Sequence, residues 1–472
     1  MAKINNLEDY EEVRELRGSF IAEYIGASRE KVIFVDHHTC HAHHAYFSSP
    51  LRGEDVLVLT MDGFGDGCNA TVHTVDEEGR LKSQYQTNQC RVGTIYQFIT
   101  MLLGMKPAEH EFKVMGLAAY AKEEYFSEVF EIFQETYYVD GLEFKSRIPI
   151  GNHYEYFKKR LEGYRFDSIA GGLQQYVEEL VVEWILNWLR HTRTKRIVFS
   201  GGVSLNIKLN KRIQELSEVD DLFICMAGGD ESLCIGAAQY LYSQQAHPSN
   251  LQALATPYLG PGYKKEELSC FFDDPFIKQN YEIFERVNYE QLAEILAGGD
   301  VIALFTKQME FGPRALGHRS IIADPRNIKV VKIINSTIKN RDFWMPFTPS
   351  ILEERAEDYL VNPKNLAAPY MTIAFDSTKL GKKDLAAAVH PYDLTLRPQL
   401  VSKAGSPRYY KIIKAFENNT GVGAVLNTSL NIHGKPLVRS PNDLLNELLI
   451  KSEVELSYVL LDDMLLKRSC IE

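Results

Sequence analysis

Long apolar runs are missing from this 472-residue chain. No stretch approaches the roughly 20 consecutive apolar residues that a membrane-spanning helix needs. The first ten residues also lack the apolar segment of a secretory signal. We therefore expect a cytoplasmic protein with no membrane partner.

Cysteine and basic charge are also in short supply. The seven cysteines are an odd number, are scattered along the chain and include no Cys-x-x-Cys pair. This pattern is typical of reduced thiols and indicates neither a disulfide framework nor a zinc ribbon. Because the formal net charge is −11, the chain has no general attraction for a polyanion. We expect no nucleic-acid partner, and any phosphate site must be local.

A histidine-rich stretch, Asp36-His-His-Thr-Cys-His-Ala-His-His44, follows an apolar run at residues 32–35. If a helix begins here, His37 and His41 lie one turn apart on the same face, which is the usual way for a helix to present two imidazoles to a metal ion. His38 is an alternative to His37, at a spacing of three residues from His41. The stretch therefore predicts a metal site.

Three apolar strands end in turns rich in glycine. Glycine lets the backbone approach a phosphate or a ribose closely, and the N-terminus of a following helix adds its dipole. Since ligands bind at the carboxyl ends of such strands, we expect one shared crevice of nucleotide size. The strands and their turns are residues 56–61 with Asp62 and Asp66, residues 196–200 with Gly201 and Gly202, and residues 222–225 with Gly228, Gly229 and Asp230.

A core helix and a boundary divide the chain. Residues 173–189 place apolar and aromatic side chains at helical spacing, which predicts a packed helix rather than a ligand box. Periodicity is then lost at residues 246–262, where proline and serine accumulate. We predict a linker there, between one domain of residues 1–245 and another of residues 263–472.

Two polar groups stand out in the second domain. A basic cluster in an acidic chain predicts an anion pocket, because arginine forks pair bidentately with phosphate, although ion pairs with the surplus carboxylates are the alternative. A later strand ends in short polar side chains that suit oriented hydrogen bonds to a carbamoyl or carboxylate group, and an ordinary Asn/Ser turn is the alternative. The basic residues are Arg314, Arg319, Lys339 and Arg341, and the polar ones are Asn427, Ser429 and Asn431.

Together these motifs resemble one family, the O-carbamoyltransferases that include the nodulation-factor, cephamycin and tobramycin carbamoyltransferases. The blocks that carry the resemblance include Asp36-His-His-x-x-His41-Ala, Asp62-Gly-Phe-Gly, Lys113-Val-Met-Gly-Leu-Ala, Ser200-Gly-Gly-Val-Ser-Leu-Asn206, Glu310-Phe-Gly-Pro-Arg-Ala-Leu-Gly-His-Arg-Ser320 and Asn427-Thr-Ser-x-Asn431.

The resemblance implies an α/β fold with two domains. The N-terminal domain is expected to be actin-like, similar to the threonylcarbamoyl transferases, and the C-terminal domain to be YrdC-like. The C-terminal domain would make carbamoyladenylate from carbamoyl phosphate and ATP, which carries Mg²⁺. The N-terminal domain would transfer the carbamoyl group to a hydroxyl of a small natural product, as in antibiotic or toxin biosynthesis. The resemblance also suggests a homodimer.

The same resemblance assigns roles to individual residues. It implies a divalent metal, with Fe²⁺ expected and Mn²⁺ or Zn²⁺ as alternatives, bound by His37, His41, Asp62 and Asp230, and Asp66 competes with Asp62 for its place. His41 and the four basic residues of the C-terminal cluster are the expected catalytic residues. The expected nucleotide- and carbamoyl-binding residues are Lys113, Gly201, Gly202, Asn206, Gly228, Gly229, Asn427, Ser429 and Asn431.

One departure from the family pattern leaves other functions open. Family members begin with a strand and a Gly-x-x-His-Asp-Ser type of loop ahead of the histidine pair, and this sequence does not contain them. A truncated or split protein, or a non-catalytic nucleotide-binding subunit that needs a partner, is therefore an alternative hypothesis. Threonylcarbamoylation of tRNA is a further one, but the acidic composition disfavours it.

Overall fold

The computed structural model describes residues 7–339, 342, 344–450 and 456–469. Within these ranges the chain folds as a mixed α/β protein with two large sheets, which confirms the predicted class. None of the helices in these ranges is long and apolar enough to span a bilayer.

The strands are β1 Leu57–Gly65, β2 Cys68–Val75, β3 Leu81–Thr87, β4 Tyr137–Asp140, β5 Glu143–Ser146, β6 Arg196–Ser200, β7 Asp221–Ile224, β8 Tyr281–Glu285, β9 Ile302–Phe305, β10 Arg319–Ala323, β11 Thr348–Leu352, β12 Phe375–Asp376, β13 Thr395–Leu396, β14 Gln399–Val401, β15 Ala424–Ser429, β16 Tyr458–Leu461 and β17 Met464–Arg468.

The α-helices are α1 Leu7–Ile25, α2 His37–Ser48, α3 Val92–Leu102, α4 Glu111–Ala118, α5 Glu123–Gln134, α6 His153–Arg160, α7 Phe166–Thr192, α8 Ile207–Glu215, α9 Leu233–Gln245, α10 Lys265–Asp273, α11 Pro275–Asn280, α12 Tyr289–Ala297, α13 Lys329–Ile334, α14 Ala356–Tyr359, α15 Lys379–Asp384, α16 Pro407–Thr420 and α17 Pro441–Asp443.

The N-terminal half is built on a five-stranded sheet with the order β3-β2-β1-β6-β7. Strands β1, β6 and β7 are parallel, whereas β2 and β3 continue from β1 as an antiparallel meander. The carboxyl ends of the three parallel strands therefore meet at one edge of the sheet, and the three glycine-rich turns meet there with them.

Alternating side chains cover both faces of this sheet. Val58, Val198 and Phe223 pack with α2 in one apolar cluster. Leu59 and Phe199 point the other way and pack with α3 and α7 in a second cluster. Because both faces are buried, these strands read as continuous apolar runs in the sequence. The predicted core helix at residues 173–189 lies within α7 and is largely buried.

The C-terminal half is built on a mixed eight-stranded sheet with the order β14-β11-β15-β10-β9-β16-β17-β8. Its central strand β15 pairs antiparallel with both β10 and β11. Asn427 of β15 lies opposite Thr348 on one side and Ile322 on the other. This register places the polar end of β15 beside the loop that precedes β10.

The segment predicted to be a linker packs against the rest of the chain. Leu251, Leu254 and Tyr258 contact the apolar cluster around α2. The ring of Tyr258 also stacks on His318, with centroids 3.4 Å apart. One buried apolar cluster contains side chains from both halves of the chain, so the segment connects two halves that share a core. The domain boundary itself stays a prediction.

Candidate active site

The histidine-rich stretch forms a helix, as the spacing predicts, and two aspartates fix where it begins. Asp36 is the N-cap of α2, and its Oδ1 accepts a hydrogen bond from the backbone N–H of Thr39 at 3.0 Å. The backbone N–H of His37 donates to Asp66 Oδ2 at 2.9 Å. These bonds satisfy the free N–H groups of the first turn, so His37 and His41 share the face that meets the sheet edge.

Four side chains converge at this edge. Ligand atoms of His37, His41, Asp62 and Asp230 all lie within 4.8 Å of one another. His41 Nε2 lies 3.2 Å from His37 Nε2, 3.1 Å from Asp62 Oδ2 and 3.5 Å from Asp230 Oδ1. His37 Nε2 lies 3.4 Å from Asp62 Oδ2 and 3.6 Å from Asp230 Oδ1. The structure thus brings together the four residues predicted as metal ligands.

The donor set fits a divalent metal. A cation held tetrahedrally at about 2.0–2.1 Å from each ligand separates those ligands by about 3.3 Å, and the five distances given above are close to that value. Two imidazole nitrogens with two carboxylate oxygens suit iron, manganese or zinc.

The electrostatics of the cluster also favour a positive charge. Burial alone raises the pKa of Asp62, but hydrogen bonds from His37 and His41 outweigh it and hold this pKa well below its ordinary range. Burial lowers the pKa of His41, but hydrogen bonds to Asp230 and Asp62 outweigh that effect and raise it. The two carboxylates therefore attract a cation to the point where the four side chains meet.

Ser200, which the sequence analysis did not select, orients one of the ligands. Its Oγ donates to the carbonyl of Gly228 at 3.3 Å and lies 3.4 Å from Nδ1 of His41. Since the hydroxyl proton is used on the carbonyl, Ser200 Oγ accepts the proton of Nδ1. With Nδ1 bonded in this way, Nε2 is the atom of His41 that faces the cluster and would coordinate a metal ion there.

The structure also separates the competing candidates from the cluster. Asp66 accepts the backbone N–H of His37 through its Oδ2, and His38 directs Nδ1 to Thr60 Oγ1 at 2.7 Å. Burial lowers the pKa of His38 to about 4, so this residue is a neutral, packed histidine near neutral pH. Asp62 and His37 are the members that reach the cluster.

The double-glycine turn after β6 depends on its first glycine. Gly201 has a φ of +91°, and a Cβ at this position would lie 2.2 Å from the carbonyl oxygen of Met61. Its N–H donates to the carbonyl of Gly228 at 2.8 Å, and the N–H of Gly202 donates to Asp62 Oδ2 at 3.2 Å. The turn therefore ties Asp62 to the segment that carries Asp230.

A cavity of about 1140 Å³ opens beside the cluster and is lined by both halves of the chain. The N-terminal half contributes Asp62 and Asp230, together with the predicted residues Lys113, Gly202, Asn206 and Gly229. The C-terminal half contributes Arg314, Lys339, Asn427, Ser429 and Asn431 from the predicted set. The expectation of a single crevice is thus met for these residues, and the crevice lies between the two halves.

Arg314 presents a basic group without a partner on this cavity wall. It makes no hydrogen bond or ion pair with any residue in the described part of the chain, and its Nε is buried. Burial lowers the pKa of Arg314 to about 10, although Glu231 opposes the shift. Gly312, which has a φ of +105°, packs closely against the backbone carbonyl of Met226. The loop before Arg314 therefore lies close to the N-terminal half. A half-buried guanidinium without a protein partner suits an anionic ligand.

Arg319 has a different role from the one predicted. Its side chain is fully buried and does not line the cavity. The guanidinium donates to five backbone carbonyls and lies over the ring of Phe305, 3.8 Å from its centroid. These contacts use the N–H donors of Arg319 within the protein. We therefore correct the prediction that Arg319 is catalytic, because it stabilises the backbone segments that surround it. Arg341 lies outside the described residues.

Lys339 joins two other predicted residues. Its Nζ donates to Oγ and the carbonyl of Ser429 and to Oδ1 and the carbonyl of Asn431. Ser429 and Asn431 therefore hold this buried lysine at the cavity wall, where its charge adds to that of Arg314.

Lys113 and Asn206 reach the cavity from the N-terminal half. Lys113 Nζ lies 3.0 Å from Asp342 Oδ2 and 3.4 Å from His433 Nε2, both in the C-terminal half. Asn206 caps α8 through the N–H of Leu209. Lys113 thus joins the two halves across the cavity. Gly201 and Gly228, in contrast, do not line the cavity, and the hydrogen bond between them holds the two turns together.

Comparisons with known proteins identify the family of this chain. Residues 9–239 match the family model of the carbamoyltransferase N-terminus, and residues 293–468 match that of the carbamoyltransferase C-terminus. The chain belongs to the carbamoyltransferase family. The resemblance found in the sequence is thereby confirmed.

Relatives of this carbamoyltransferase include nodulation proteins. NolO of Bradyrhizobium diazoefficiens is 30% identical over 87% of this chain and 75% of its own length. NolNO of Sinorhizobium fredii is 31% identical over 91% of the chain and 63% of its own length. An uncharacterized protein of Methanocaldococcus jannaschii is 33% identical over 89% of the chain and 71% of its own length. The solved structure of full-length HypF aligns with a TM-score of only 0.26 at 17% identity, over 44% of this chain and 42% of its own.

Proposed function

We propose that this carbamoyltransferase activates carbamoyl phosphate with ATP and transfers the carbamoyl group to a hydroxyl of a small molecule. In the first reaction, carbamoyl phosphate, water and ATP give carbamoyladenylate, phosphate and pyrophosphate. In the second, the acceptor oxygen attacks the carbamoyl carbon, AMP leaves, and the hydroxyl proton is released. The actin-like and YrdC-like assignments of the two halves belong to this proposal.

The observation that carries the proposal is the composition of the cavity wall. Arg314, half-buried and without a partner in the described part of the chain, and the buried Lys339 both line it, and Lys339 adds charge rather than hydrogen bonds because Ser429 and Asn431 already accept its N–H groups. They suit the phosphoryl groups of carbamoyl phosphate and ATP, because positioning and electrostatic stabilisation are the main demands of phosphoryl and adenylyl chemistry. Two members of the metal-ligand cluster, Asp62 and Asp230, line the same cavity.

The cluster suits the transfer reaction. A divalent cation bound by these four residues would polarise the carbamoyl oxygen as a Lewis acid. The chain itself orients the His41 imidazole through the contact between Ser200 Oγ and His41 Nδ1. The N–H of Gly202 orients Asp62 toward the same point. No serine or cysteine nucleophile is needed for either reaction.

Pyrophosphate release tests the proposal. The purified chain, incubated with ATP, Mg²⁺ and carbamoyl phosphate, should release pyrophosphate, and omission of carbamoyl phosphate should abolish that release. ATP binding without release would overturn the proposal in favour of a nucleotide-binding subunit. Arg314→Met is the variant expected to lose release, with the exposed Arg190→Met as its matched control.

A further inference from the structure

Asn427 lines the cavity, and its side-chain amide has a defined orientation. Its Nδ2 donates to the carbonyl of Ala315 at 3.1 Å and to Ser350 Oγ at 3.0 Å. A carbonyl only accepts, so the amide cannot be turned round. Ser350 in turn donates to Gln399 Oε1 at 2.8 Å. Asn427 is 1% exposed, and its Oδ1 has no partner among the described residues.

Glu310 presents a second acceptor on the same wall. Its Oε1 accepts three backbone N–H groups, those of Leu316 at 2.6 Å, His318 at 2.9 Å and Arg319 at 3.2 Å. The other oxygen, Oε2, is buried without a partner in the described part of the chain. Glu310 is 3% exposed and lines the cavity. One oxygen of the carboxylate is therefore held by three hydrogen bonds, and the other is buried with no hydrogen bond from the described residues.

The two acceptors are anchored on neighbouring residues. Asn427 is fixed to Ala315 and Glu310 to Leu316, which follow Arg314 directly in the chain. One short loop thus carries a guanidinium without a partner next to the anchors of two oxygens without partners. Buried polar atoms without partners cost stability, so such a group indicates a ligand that supplies the missing hydrogen bonds.

We infer that Asn427 Oδ1 and Glu310 Oε2 bind the amide NH₂ of the carbamoyl group while Arg314 binds the phosphate. This inference rests on the proposed function and names the feature of the substrate that the site selects. Carbamoyl phosphate has two N–H donors where acetyl phosphate has a methyl group. A methyl group leaves both buried oxygens unpaired, and sites that bind a polar group in this way reject analogues that lack it.

Binding of two stable phosphonates tests the inference without catalysis. Phosphonoacetamide carries the amide, and acetonylphosphonate replaces the NH₂ with a methyl group at nearly the same shape. In titration calorimetry on the full chain, phosphonoacetamide should bind at least about tenfold more tightly. Equal affinities would overturn the inference.

Glu310→Gln is the variant that isolates the acceptor. The three backbone N–H groups retain the amide oxygen of the glutamine, so its NH₂ takes the place of Oε2 and a donor replaces an acceptor. Phosphonoacetamide affinity should fall by about tenfold or more, while acetonylphosphonate affinity should not fall. The exposed Glu354→Gln, which changes the same chemistry at the surface, should leave both affinities unchanged.

Asn427→Ala provides a second test, because it removes the other acceptor. It too should weaken only phosphonoacetamide, and retained binding of acetonylphosphonate shows in each variant that the site is folded. Equal losses for both phosphonates would contradict the inference. If the wild-type chain prefers the amide but releases no pyrophosphate, the proposed function fails and the amide site stands. If it releases pyrophosphate without that preference, the amide site fails alone.

Discussion

Two arginines five positions apart should respond to the same substitution in opposite ways. Arg319→Met removes a guanidinium that donates to five backbone carbonyls in a fully buried site. Hydrogen bonds from a charged group contribute about 1.5–3 kcal/mol each, but they do not add when one side chain makes them all. From the cost of breaking buried charged contacts, we expect the free energy of unfolding to fall by about 3–5 kcal/mol.

Arg314→Met should behave differently, because this arginine has no partner in the described part of the chain. Removing an unpaired, half-buried charge should leave the free energy of unfolding unchanged or raise it by about 1–2 kcal/mol. The loss should appear in function, as a rise of about 10- to 100-fold in KM for carbamoyl phosphate, because one charge-assisted contact to phosphate is gone.

Guanidinium unfolding followed by tryptophan fluorescence, together with pyrophosphate release, measures both effects. Arg319→Lys is a useful control, since lysine keeps the charge but cannot reach five planar positions and should recover only part of the stability. The reasoning would be refuted if the Arg314 variant lost as much stability as the Arg319 variant. It would also be refuted if the Arg319 variant were as stable as the wild type.

Three further predictions concern orientation, pH and the loop between the halves. Ser200→Ala should weaken metal binding by about 10- to 100-fold in a chelator competition, because it frees the second nitrogen of His41, and unchanged affinity would contradict this. Burial lowers the pKa of His73 to about 4, so the unfolded chain takes up the proton first and stability falls as pH drops from about 6.5 to 4. His73→Gln should remove up to about 3 kcal/mol of that fall in unfolding curves, whereas the exposed His247→Gln should not. Gly312→Ala should destabilise the chain by about 1–3 kcal/mol through its positive φ and its close carbonyl contact, and a neutral result would show that the loop can shift.

The N-terminal half could be predicted well because its signals are local. Apolar runs followed by glycine turns marked β1, β6 and β7, and the spacing of His37 and His41 placed them on one helical face. Parallel strands bring their carboxyl ends together, so the turns that carry Asp62 and Asp230 could be expected to meet, and the family resemblance joined these aspartates to the two histidines. Ser200 could not be found in this way, because nothing local links it to a histidine 159 positions earlier.

The basic cluster shows where sequence reasoning failed. Arg314 and Arg319 are alike in a sequence, and only the structure shows which one has its donors satisfied by backbone carbonyls. Glu310 was part of a recognised motif, but its role depends on one oxygen being bound by three N–H groups and the other left open. Hydrogen-bond satisfaction of this kind is a tertiary property, which composition and spacing do not encode.

The most direct test of the account separates the two reactions in one experiment. His41→Ala and the wild-type chain are incubated with ATP, Mg²⁺, carbamoyl phosphate labelled at carbon and an extract that supplies hydroxyl acceptors. The account predicts that the variant releases pyrophosphate at close to the wild-type rate but puts no label into acid-stable carbamates. The account would be contradicted if the variant lost both pyrophosphate release and label incorporation. It would also be contradicted if the variant kept full label incorporation.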